Sequence, residues 1–513
     1  MWKFILGVIV LILIVGIVLV IKTLLYPFTS IEKPAESQAT NQYNVVDAAA
    51  LKRFSGGLQI PTVSNVDYSQ FNYQPFDSFK VYLKETYPRI YETSENYVIN
   101  NYGLVFHWKG TNAELKPILF LSHYDVVPPG NYEGTDTSKS IFSPSDKPVP
   151  PISAIAQAWE HPPFSGNVMN GRIYGRGTLD MKNMLFSLME AMDKLQSENF
   201  KPQRDIYFAF GHDEEVGGTH GALEIAKDFK QKGITFDAVY DEGGIVSTKG
   251  SLSGINASVA LIGCAEKGFW SARVKVKGLG GHSSMPPLES AIGKAAVIMQ
   301  RLEKNQMEPT VIPIINNFFT NVGGAMSFTS RMAIANQWLL KSVLIKQLTK
   351  NHTTNALVRT TTALTMMKGS EASNVLAPVV EFVVNFRLLP GNSVADVKKH
   401  LEDACKGFDV TIEDFGTPRE ASHISATDGQ GYKVMERTIH KLFPGAIVTP
   451  YLTIGGTDAY KYEIVCDHVY RFNPVAINNF EQQTIHNNNE YISIENFSRM
   501  IQYWQTLIKE YEQ

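Results

Sequence analysis

The pattern of apolar and polar positions divides the chain into several regions, and the first of them is a purely apolar segment. Residues 4–21 form a run of 18 apolar or glycine residues between Lys3 and Lys22. This length approaches the ~20 residues that cross a bilayer as a helix. The run predicts either an uncleaved membrane anchor or a signal sequence over residues 1–22. We favour the anchor, because no small-residue cleavage site follows closely.

A polar, patternless stretch, SIEKPAESQATNQ, follows the run and predicts a tether over residues 23–44. In residues 45–267, short apolar strands such as PILFLSHYD, IYFAFGHDE and FDAVYDEGG alternate with helical stretches such as MKNMLFSLMEAMDKLQ. This alternation predicts an α/β domain with a sheet flanked by helices. Ligand sites of open α/β sheets lie outside the carboxyl ends of the strands, so the residues that follow these strands are candidates for chemistry.

The pattern changes at residue 268. Residues 268–416 read in the order βαββαβ, with residues 305–355 as an irregular insertion. Such a unit makes its own four-stranded sheet and predicts a second, ferredoxin-like domain. Residues 417–513 return to α/β character and end in a helical stretch. We therefore expect the second domain to be inserted into the first.

Composition excludes some classes of function. The chain has 513 residues, of which 44% are hydrophobic and 19% charged, as expected of a folded protein with several domains. Lysine and arginine number 47 against 50 acidic residues, and no basic run occurs, so nucleic acid is not an expected partner. Three widely spaced cysteines, Cys264, Cys405 and Cys466, indicate neither a disulfide framework nor a cysteine zinc site.

Histidine and carboxylate side chains are concentrated in four segments at strand ends or in loops. They are LSHYDVV with His123 and Asp125, GRGTLDMK with Asp180, GHDEEVGG with Glu214 and Glu215, and VYDEGG with Asp241 and Glu242. Clustered carboxylates repel one another and lose hydration on burial, unless a cation compensates them. The pattern therefore predicts a cation site, although each residue taken singly has an ordinary structural reading as a cap, a salt bridge or a solvated turn.

A site for two zinc ions needs histidine nitrogens, terminal carboxylates and one bridging carboxylate, and these segments can supply them. Asp125 stands two residues after His123, on the same face of a strand, where a carboxylate can orient a metal-bound imidazole. In the pair Glu214 and Glu215, we expect Glu215 to bind metal and Glu214 to move protons.

The order of motifs resembles a known family. SHYDVVP, PPFSGNVMNGRIYGRGTLDMK, GHDEEVGG, DEGG, GHSSMPP, NVLAP, NFRLLPG and GGTDAY, with a late His486, occur from about residue 50 to the end. They resemble the dizinc aminoacylase and carboxypeptidase family, and most closely its branch of carboxypeptidase S and N-fatty-acyl-amino-acid synthase/hydrolase. The resemblance implies a zinc-peptidase domain with an inserted lid or dimerisation domain.

The resemblance also implies a role for each residue. His123 and Asp241 would bind one zinc ion, Glu215 and His486 the second, and Asp180 would bridge the two. Glu242 is the alternative to Asp241. Asp125 would orient His123, and Glu214 would be the general base. Arg387 would bind the substrate carboxylate, and His282 would stabilise the oxyanion. Asn374 and the backbone amides of Gly455 and Gly456 would support Arg387.

We therefore expect a metallohydrolase with two zinc ions that cleaves, or in reverse forms, the amide bond of dipeptides or N-acyl amino acids with a free carboxylate. Its catalytic domain would be anchored outside the cytosol, or secreted if the N-terminal segment is cleaved. The chain would act either as a homodimer paired through the inserted domain or as a monomer. The alternative is a membrane-tethered, non-catalytic scaffold that keeps the fold. It is disfavoured because every expected ligand and the base are present.

Overall fold

The computed structural model describes residues 1–29, 47–129 and 159–512. Of the predicted tether, residues 23–44, the part from residue 30 onward lies outside the described residues, whereas residues 23–25 belong to the first helix.

The strands of the described residues are numbered in chain order. They are β1 (Glu95–Ile99), β2 (Gly103–Trp108), β3 (Ile118–His123), β4 (Val168–Met169), β5 (Arg172–Tyr174), β6 (Ile206–Gly211), β7 (Ala238–Asp241), β8 (Val246–Ser247), β9 (Val259–Glu266), β10 (Gly268–Lys277), β11 (Gly281–His282), β12 (Thr361–Lys368), β13 (Val375–Leu376), β14 (Val379–Leu388), β15 (Val410–Asp414), β16 (Ile447–Thr453), β17 (Val469–Arg471), β18 (Ala476–Ile477) and β19 (Tyr491–Ser493).

The α-helices are numbered in the same way. They are α1 (Trp2–Leu25), α2 (Ala48–Leu58), α3 (Gln74–Thr86), α4 (Pro88–Thr93), α5 (Lys182–Ser197), α6 (Ala222–Gln231), α7 (Ala291–Lys304), α8 (Pro313–Val322), α9 (Phe328–Ala335), α10 (Gln337–Leu348), α11 (His352–Val358), α12 (Val394–Cys405), α13 (Gln430–Leu442), α14 (Asn479–Gln482) and α15 (Ile494–Tyr511).

The chain forms two compact units. The large unit is made of the described residues within 32–262, 426–448 and 457–513, and the inserted unit of those within 1–31, 263–425 and 449–456. The predicted boundaries, 268 and 416, fall a few residues inside the observed ones. The second boundary lies later because Arg419 exchanges backbone hydrogen bonds of 2.7 and 2.8 Å with Phe269 and so extends the inserted unit beyond β15.

A mixed sheet, most of which belongs to the large unit, has the order β1-β2-β6-β3-β7-β17-β9-β8-β18, with β16 beside β9. Strand β3 is parallel to both β6 and β7, whereas β2 is antiparallel to β6. Every residue of β3, β6 and β7 is buried, as expected of central strands covered on both faces. Helices α5 and α15 pack together, and the Trp504 indole donates a 3.0 Å hydrogen bond to Ser187. The predicted α/β fold class is confirmed.

The inserted unit contains a four-stranded sheet of order β12-β14-β10-β15, in which all neighbours are antiparallel. With helices α7 and α12, the chain order is β10-α7-β12-β14-α12-β15, the predicted βαββαβ. Side chains such as Trp270, Val274, Phe382 and Phe386 fill the core of this unit. Ser393 and Asp396 form a capping box at the start of α12, which satisfies backbone donors that the first turn would leave free.

The prediction that residues 305–355 are irregular is wrong, because this segment folds into the four helices α8–α11. Pro313 occupies the first turn of α8, and Ser327 caps α9. In α8 the buried side chains recur at helical spacing: Ile314, Ile315, Phe318, Phe319 and Val322. This period was readable in the sequence, but Gly323 and Gly324 next to it broke the pattern.

Helix α1 contains the apolar run. Within the described residues it is the single helix long and apolar enough to cross a membrane, with a mean hydropathy of 3.6. A retained anchor and a signal sequence share these properties.

Candidate active site

The carboxyl ends of three neighbouring strands of the large unit bring the candidate ligands together. His123 is the last residue of β3, Glu214 and Glu215 open a short turn after β6, and Glu242 follows β7. Because these strands are parallel and adjacent in the order β6-β3-β7, their ends meet at one edge of the sheet. Asp180 lies in the loop before α5, and His486 in the loop between α14 and β19.

Two groups of potential metal ligands share one residue. His123, Asp180 and Glu242 form the first group, and Asp180, Glu215 and His486 the second; within each group the ligand atoms lie within 4.8 Å of one another. Asp180 uses a different oxygen in each group. Its Oδ1 lies 3.1 Å from His123 Nε2, and its Oδ2 lies 2.9 Å from His486 Nε2. This is the arrangement expected of a bridging carboxylate.

Asp125 fixes the orientation of His123. The His123 Nδ1 lies 3.0 Å from the carbonyl oxygen of Asp125 and 3.3 Å from its Oδ1. Since both oxygens accept, Nδ1 carries a proton, and Nε2 points to the ligand group. The carboxylate of Asp125 also accepts hydrogen bonds of 3.1 Å from the backbone N–H of Glu214 and of Glu215. One buried carboxylate thus holds the end of β3 against the glutamate turn, as expected for a side chain that supports metal ligands.

Electrostatics favour a cation in this cluster. Burial raises the pKa of Glu215 to about 7 and that of Glu242 to about 8, and Asp180 contributes to both shifts. Hydrogen bonds that the His486 ring donates to the carboxylates of Asp180 and Glu215 raise the pKa of His486 to about 10. Burial acts to lower the pKa of His123, but Asp125, Asp180 and Glu242 raise it well above its usual range. Carboxylates that ionise reluctantly and histidines that hold protons tightly both mark a site that lacks enough positive charge.

The donor set fits divalent zinc. Imidazole nitrogens and carboxylate oxygens are its ligands in hydrolytic sites, and one shared carboxylate suits two ions. His486 is exposed whereas His123 is buried, so the second ligand group has an open side. Catalytic zinc sites keep such an open position for water and substrate.

Glu214 belongs to neither ligand group. Its Oε2 lies 3.9 Å from His123 Nε2, beside the first group. Burial raises its pKa well above the usual range, while His123 acts to lower it and Glu242 to raise it further. A carboxylate next to the ligands but outside them, with an affinity for protons, is suited to general-base catalysis.

The geometry favours Glu242 over Asp241, contrary to the choice made from the sequence. Glu242 Oε1 lies 3.4 Å from His123 Nε2, and Asp241 is in neither ligand group. Asp241 still belongs to β7, where it pairs with Arg471 of β17, and adjacent residues of a strand point to opposite faces. Burial raises the pKa of Tyr462 well above its usual range, and the negative charges of Asp458 and Asp241 add to this shift. The sequence could not show at which residue the strand ended.

Two further acids hold the ligand loops, and sequence reasoning missed both. Glu490 is fully buried; it pairs with Arg176 at 2.7 Å and accepts backbone hydrogen bonds from Gly177 at 3.1 Å and Leu179 at 2.7 Å. It therefore anchors the loop that ends at Asp180. The signal that the sequence offered for this role was the position of Glu490, four residues after His486.

Asp213 plays the corresponding role in the glutamate turn. It accepts hydrogen bonds from the Tyr68 hydroxyl at 2.7 Å and from the backbone of His220 at 2.8 Å and Gly221 at 2.9 Å. The neighbouring His212 packs among aromatic rings, with its ring centroid 5.4 Å from that of Tyr102. Asp213, the first of the three consecutive acids, therefore supports the turn that presents Glu214 and Glu215.

The remaining predicted residues belong to the inserted unit. His282, on β11, pairs with Val375 of β13, and the Ser283 N–H donates a 3.0 Å hydrogen bond to the carbonyl oxygen of Asn374. His282 and Asn374 are therefore neighbours. The backbone N–H of Ser284 donates to His282 Nδ1 at 3.1 Å. Nδ1 is thus the acceptor, and the exposed neutral ring carries its proton on Nε2.

Arg387 belongs to a group of cationic side chains in the inserted unit. Its guanidinium stacks on Phe269 at 4.9 Å, and its pKa is lowered by burial and by Arg419. Burial and Arg387 together lower the pKa of Lys267 to about 7. A side chain added at Gly456 would place its Cβ 3.3 Å from Arg419, whereas one at Gly455 would meet open space.

Sequence comparison places these features in a known group. The profile of peptidase family M20/M25/M40 matches residues 119–510. A probable carboxypeptidase S-like protein of Dictyostelium discoideum is 32% identical over 507 residues, covering 98% of this chain and 93% of the relative. The N-fatty-acyl-amino acid synthase/hydrolase PM20D1 of Xenopus tropicalis is 32% identical over 519 residues, covering 99% of this chain and 96% of the relative.

Solved structures share the fold. The M20 family metallo-carboxypeptidase Sso-CP2 of Sulfolobus solfataricus is 19% identical, with a TM-score of 0.61 and coverage of 91% of this chain and 100% of that chain. Human carnosine dipeptidase 1 is 15% identical, with a TM-score of 0.58 and coverage of 90% and 96%. The family predicted from the motifs is confirmed: this chain belongs to peptidase family M20/M25/M40, a family of metallopeptidases, and is an amide-bond hydrolase.

Proposed function

We propose that this chain is a hydrolase with two zinc ions that cleaves the amide bond of N-acyl amino acids, including those with long acyl chains. The observation that carries the proposal is the pair of ligand groups that share Asp180. We assign His123 and Glu242 to one ion, Glu215 and His486 to the other, and Asp180 to both. When bound, the two ions supply Lewis acidity, which polarises the amide carbonyl and lowers the pKa of water.

Glu214 is the proposed general base. It takes a proton from the attacking water and returns it to the nitrogen of the leaving amine, so that the products are a carboxylate and a free amino acid. Its position beside His123 but outside both ligand groups supports this role. Because a catalyst accelerates both directions of a reaction, the same residues would form the amide when fatty acid and amino acid are abundant.

His282 is the proposed donor to the oxyanion. Its Nε2–H is available because Ser284 occupies Nδ1. Charge that develops on the carbonyl oxygen during attack is stabilised by such a donor. We propose that His282 acts either in its own chain or in a second copy of the chain.

Arg387 is the proposed anchor of the substrate carboxylate, since a planar guanidinium can donate two parallel hydrogen bonds to it. Asn374 and the backbone of Gly455 and Gly456 are proposed to assist. Arg419, which contacts the backbone of Lys267 at 2.9 Å and Glu266 at 3.3 Å, adds positive charge near Arg387. A substrate that lacks the free carboxylate would therefore lose its ionic contact with the Arg387 guanidinium.

The proposed substrate class rests on the relatives. PM20D1 of Xenopus tropicalis, named as an N-fatty-acyl-amino acid synthase/hydrolase, matches almost the whole chain. The carboxypeptidase S-like relative of Dictyostelium discoideum matches it equally well and supports dipeptides as the second candidate. We further propose that α1 is a retained anchor, with both units outside the cytosol.

A substrate screen tests the proposal. The full chain, purified in detergent with zinc, would receive N-oleoyl-phenylalanine, N-acetyl-phenylalanine and glycyl-phenylalanine, which differ only in the acyl group, and release of phenylalanine would be measured by mass spectrometry. We expect the highest kcat/KM for the oleoyl substrate and a kcat lower by about 10²- to 10⁴-fold in a Glu214→Gln control. Preference for the dipeptide would favour a carboxypeptidase. Zinc binding without cleavage of any amide would favour a scaffold.

A matched pair of variants tests the fifth ligand. Glu242→Gln should lower the zinc content, because it weakens a carboxylate ligand, whereas Asp241→Asn should retain zinc. Metal analysis of both proteins after gel filtration decides between the two residues. The reverse result would restore Asp241 as the ligand.

A further inference from the structure

The helical insertion of the inserted unit packs directly on the N-terminal helix. The side-chain amide of Asn336, which is fully buried, donates hydrogen bonds of 3.1 Å to the carbonyl oxygen of Leu19 and to the hydroxyl of Thr23. The backbone N–H of Thr29 donates to Thr320 at 3.3 Å. Thr23 is the buried residue of α1. Polar contacts therefore tie the C-terminal part of α1 to α8 and to the junction of α9 and α10.

The contact begins within the apolar run of α1. Side chains up to Ile14 are exposed, and the partly buried positions start at Val15 and recur at Leu19 and Thr23, one face of the helix. At 1.5 Å per residue, the 24 residues of α1 measure about 36 Å, against about 30 Å for the hydrocarbon of a bilayer. If α1 spans a bilayer, its last turns and the helices packed on them lie at one surface of that bilayer.

Helix α10 exposes large apolar side chains near the C-terminal end of α1. Trp338, Leu339 and Val343 lie on the solvent-facing side of the helix, with Ser342 and Lys346 between them, and are 57%, 48% and 59% exposed. The Lys22 ammonium, which closes the apolar run of α1, lies 5.1 Å from the ring centroid of Trp338. Tryptophan and lysine are the residues enriched where a membrane span meets water. Through the contact of Trp338 with Lys22, the exposed apolar side chains of α10 adjoin the C-terminal end of α1.

The insertion carries no acidic side chain that lipid phosphates would repel. Residues 309–350 contain no aspartate or glutamate, and their four basic residues are Arg331, Lys341, Lys346 and Lys350. Exposed tryptophan beside lysine, in a segment free of acids, is typical of protein surfaces at the membrane–water interface.

We propose that the α9–α10 face, defined by Phe328, Trp338, Leu339 and Val343, lies in the headgroup region of the same bilayer that α1 spans. The proposal rests on the assignment of α1 as a retained anchor. A protein partner would also cover apolar side chains, but the contact with α1 and the absence of acids favour the lipid headgroups of the bilayer that α1 spans. The insertion thereby holds the inserted unit against the membrane at a second place, besides the covalent link to the span.

Spin labels test this placement in the full chain. The three native cysteines are buried, so a cysteine introduced on the surface is labelled selectively. Val343→Cys reports the α9–α10 face, Val10→Cys reports α1, and Lys399→Cys, exposed on α12, is the matched control. Each variant is reconstituted into vesicles of neutral phosphatidylcholine with anionic phosphatidylserine. Relaxation by oxygen, which dissolves in lipid, is compared with relaxation by a water-soluble nickel chelate.

We expect the labels at residues 10 and 343 to be relaxed mainly by oxygen and the label at residue 399 mainly by nickel. Equal nickel accessibility at residues 343 and 399, with residue 10 in lipid, would overturn the proposal but keep the anchor. Nickel accessibility at residue 10 would remove the span and the proposal with it. A label at residue 343 that is immobilised and shielded from both reagents would indicate a protein contact and also overturn it. Cleavage of N-acetyl-phenylalanine by all three variants is measured separately, so failure of the proposed enzyme activity is distinguishable from failure of the membrane contact.

Discussion

The two units carry chemistry of opposite sign. The large unit gathers Asp180, Glu215 and Glu242, with two histidines, where burial and mutual repulsion raise the pKa values of both glutamates. The inserted unit gathers Arg387, Arg419 and Lys267, and here crowding and burial lower the pKa of Arg387 and Lys267. The first cluster therefore has an excess of carboxylates, and the second an excess of cationic side chains, although Arg419 contacts Glu266 at 3.3 Å. The first suits metal cations and the second suits a substrate carboxylate, which is the division of labour expected of an enzyme for N-acyl amino acids.

The two units also differ in how firmly they hold their functional groups. His123 is buried and oriented by Asp125, and Asp180 follows a loop fixed by Glu490. His282 is exposed and receives its ring hydrogen bonds from a neighbour, Ser284. A metal centre gains from ligands fixed in advance, whereas a group that must admit and release substrate needs freedom. The predictions below test this contrast.

The largest effect is expected from Glu214→Gln. It removes the carboxylate that moves the proton but no ligand, so kcat should fall by about 10²- to 10⁴-fold with zinc retained. Metal analysis and kinetics on the same preparation check both halves. Glu215→Gln is the control and should lose zinc. Loss of zinc from Glu214→Gln instead would exchange the roles of the two glutamates.

His282→Ala should lower kcat by about 10²- to 10³-fold with zinc content unchanged, because it removes one donor to the oxyanion. Ser284→Ala should cost less, since the ring keeps its Nε2–H. If His282 acts on a second copy of the chain, mixing His282→Ala with Glu214→Gln restores part of the activity. An unaltered kcat in His282→Ala would refute the assignment.

Arg387→Lys tests the cationic cluster. Lysine keeps the charge but loses the planar pair of donors, so kcat/KM for substrates with a free carboxylate should fall by roughly 10- to 100-fold. The carboxamide analogues of the same substrates serve as the control and should be little affected. Equal losses for acid and amide would make Arg387 a structural residue.

The smallest effect on catalysis is expected from Lys267→Met, because this variant tests the stability of the folded chain. Burial lowers the pKa of Lys267 to about 7 in the folded chain, against 10.5 in the unfolded chain. Between these values the unfolded state binds more protons, so the free energy of unfolding rises with pH. Below pH 7 both states are protonated and the cost of burying the charge is fully present.

Removal of Lys267 should flatten this rise by up to about 1.4 kcal/mol per pH unit. Denaturant unfolding of the wild type and Lys267→Met across pH 7 to 10 measures the difference. Parallel curves for the two proteins would mean that Lys267 keeps an ordinary pKa in the folded chain.

The sequence predicted the fold class and the family because their signals are local. Strands that run into acids and a βαββαβ order can be read without knowing what packs on what. One of the two residues that were missed acts across a long separation in sequence. Glu490 binds the loop before Asp180 although the two segments are more than 300 residues apart. Nothing in the sequence around its partner Arg176 indicates this ion pair. The choice between Asp241 and Glu242 depended on where β7 ends, which propensities locate only to within a few residues.

The most direct test of the account is the zinc content of Asp180→Ala beside the wild type, measured by plasma mass spectrometry on full-length protein freed of loose metal. The account predicts two zinc ions per wild-type chain, and the loss of at least one in the variant, because Asp180 is the ligand that both groups share. The control Asp241→Asn should keep two. Two tightly bound zinc ions in Asp180→Ala would contradict the shared-ligand site on which the proposed function rests.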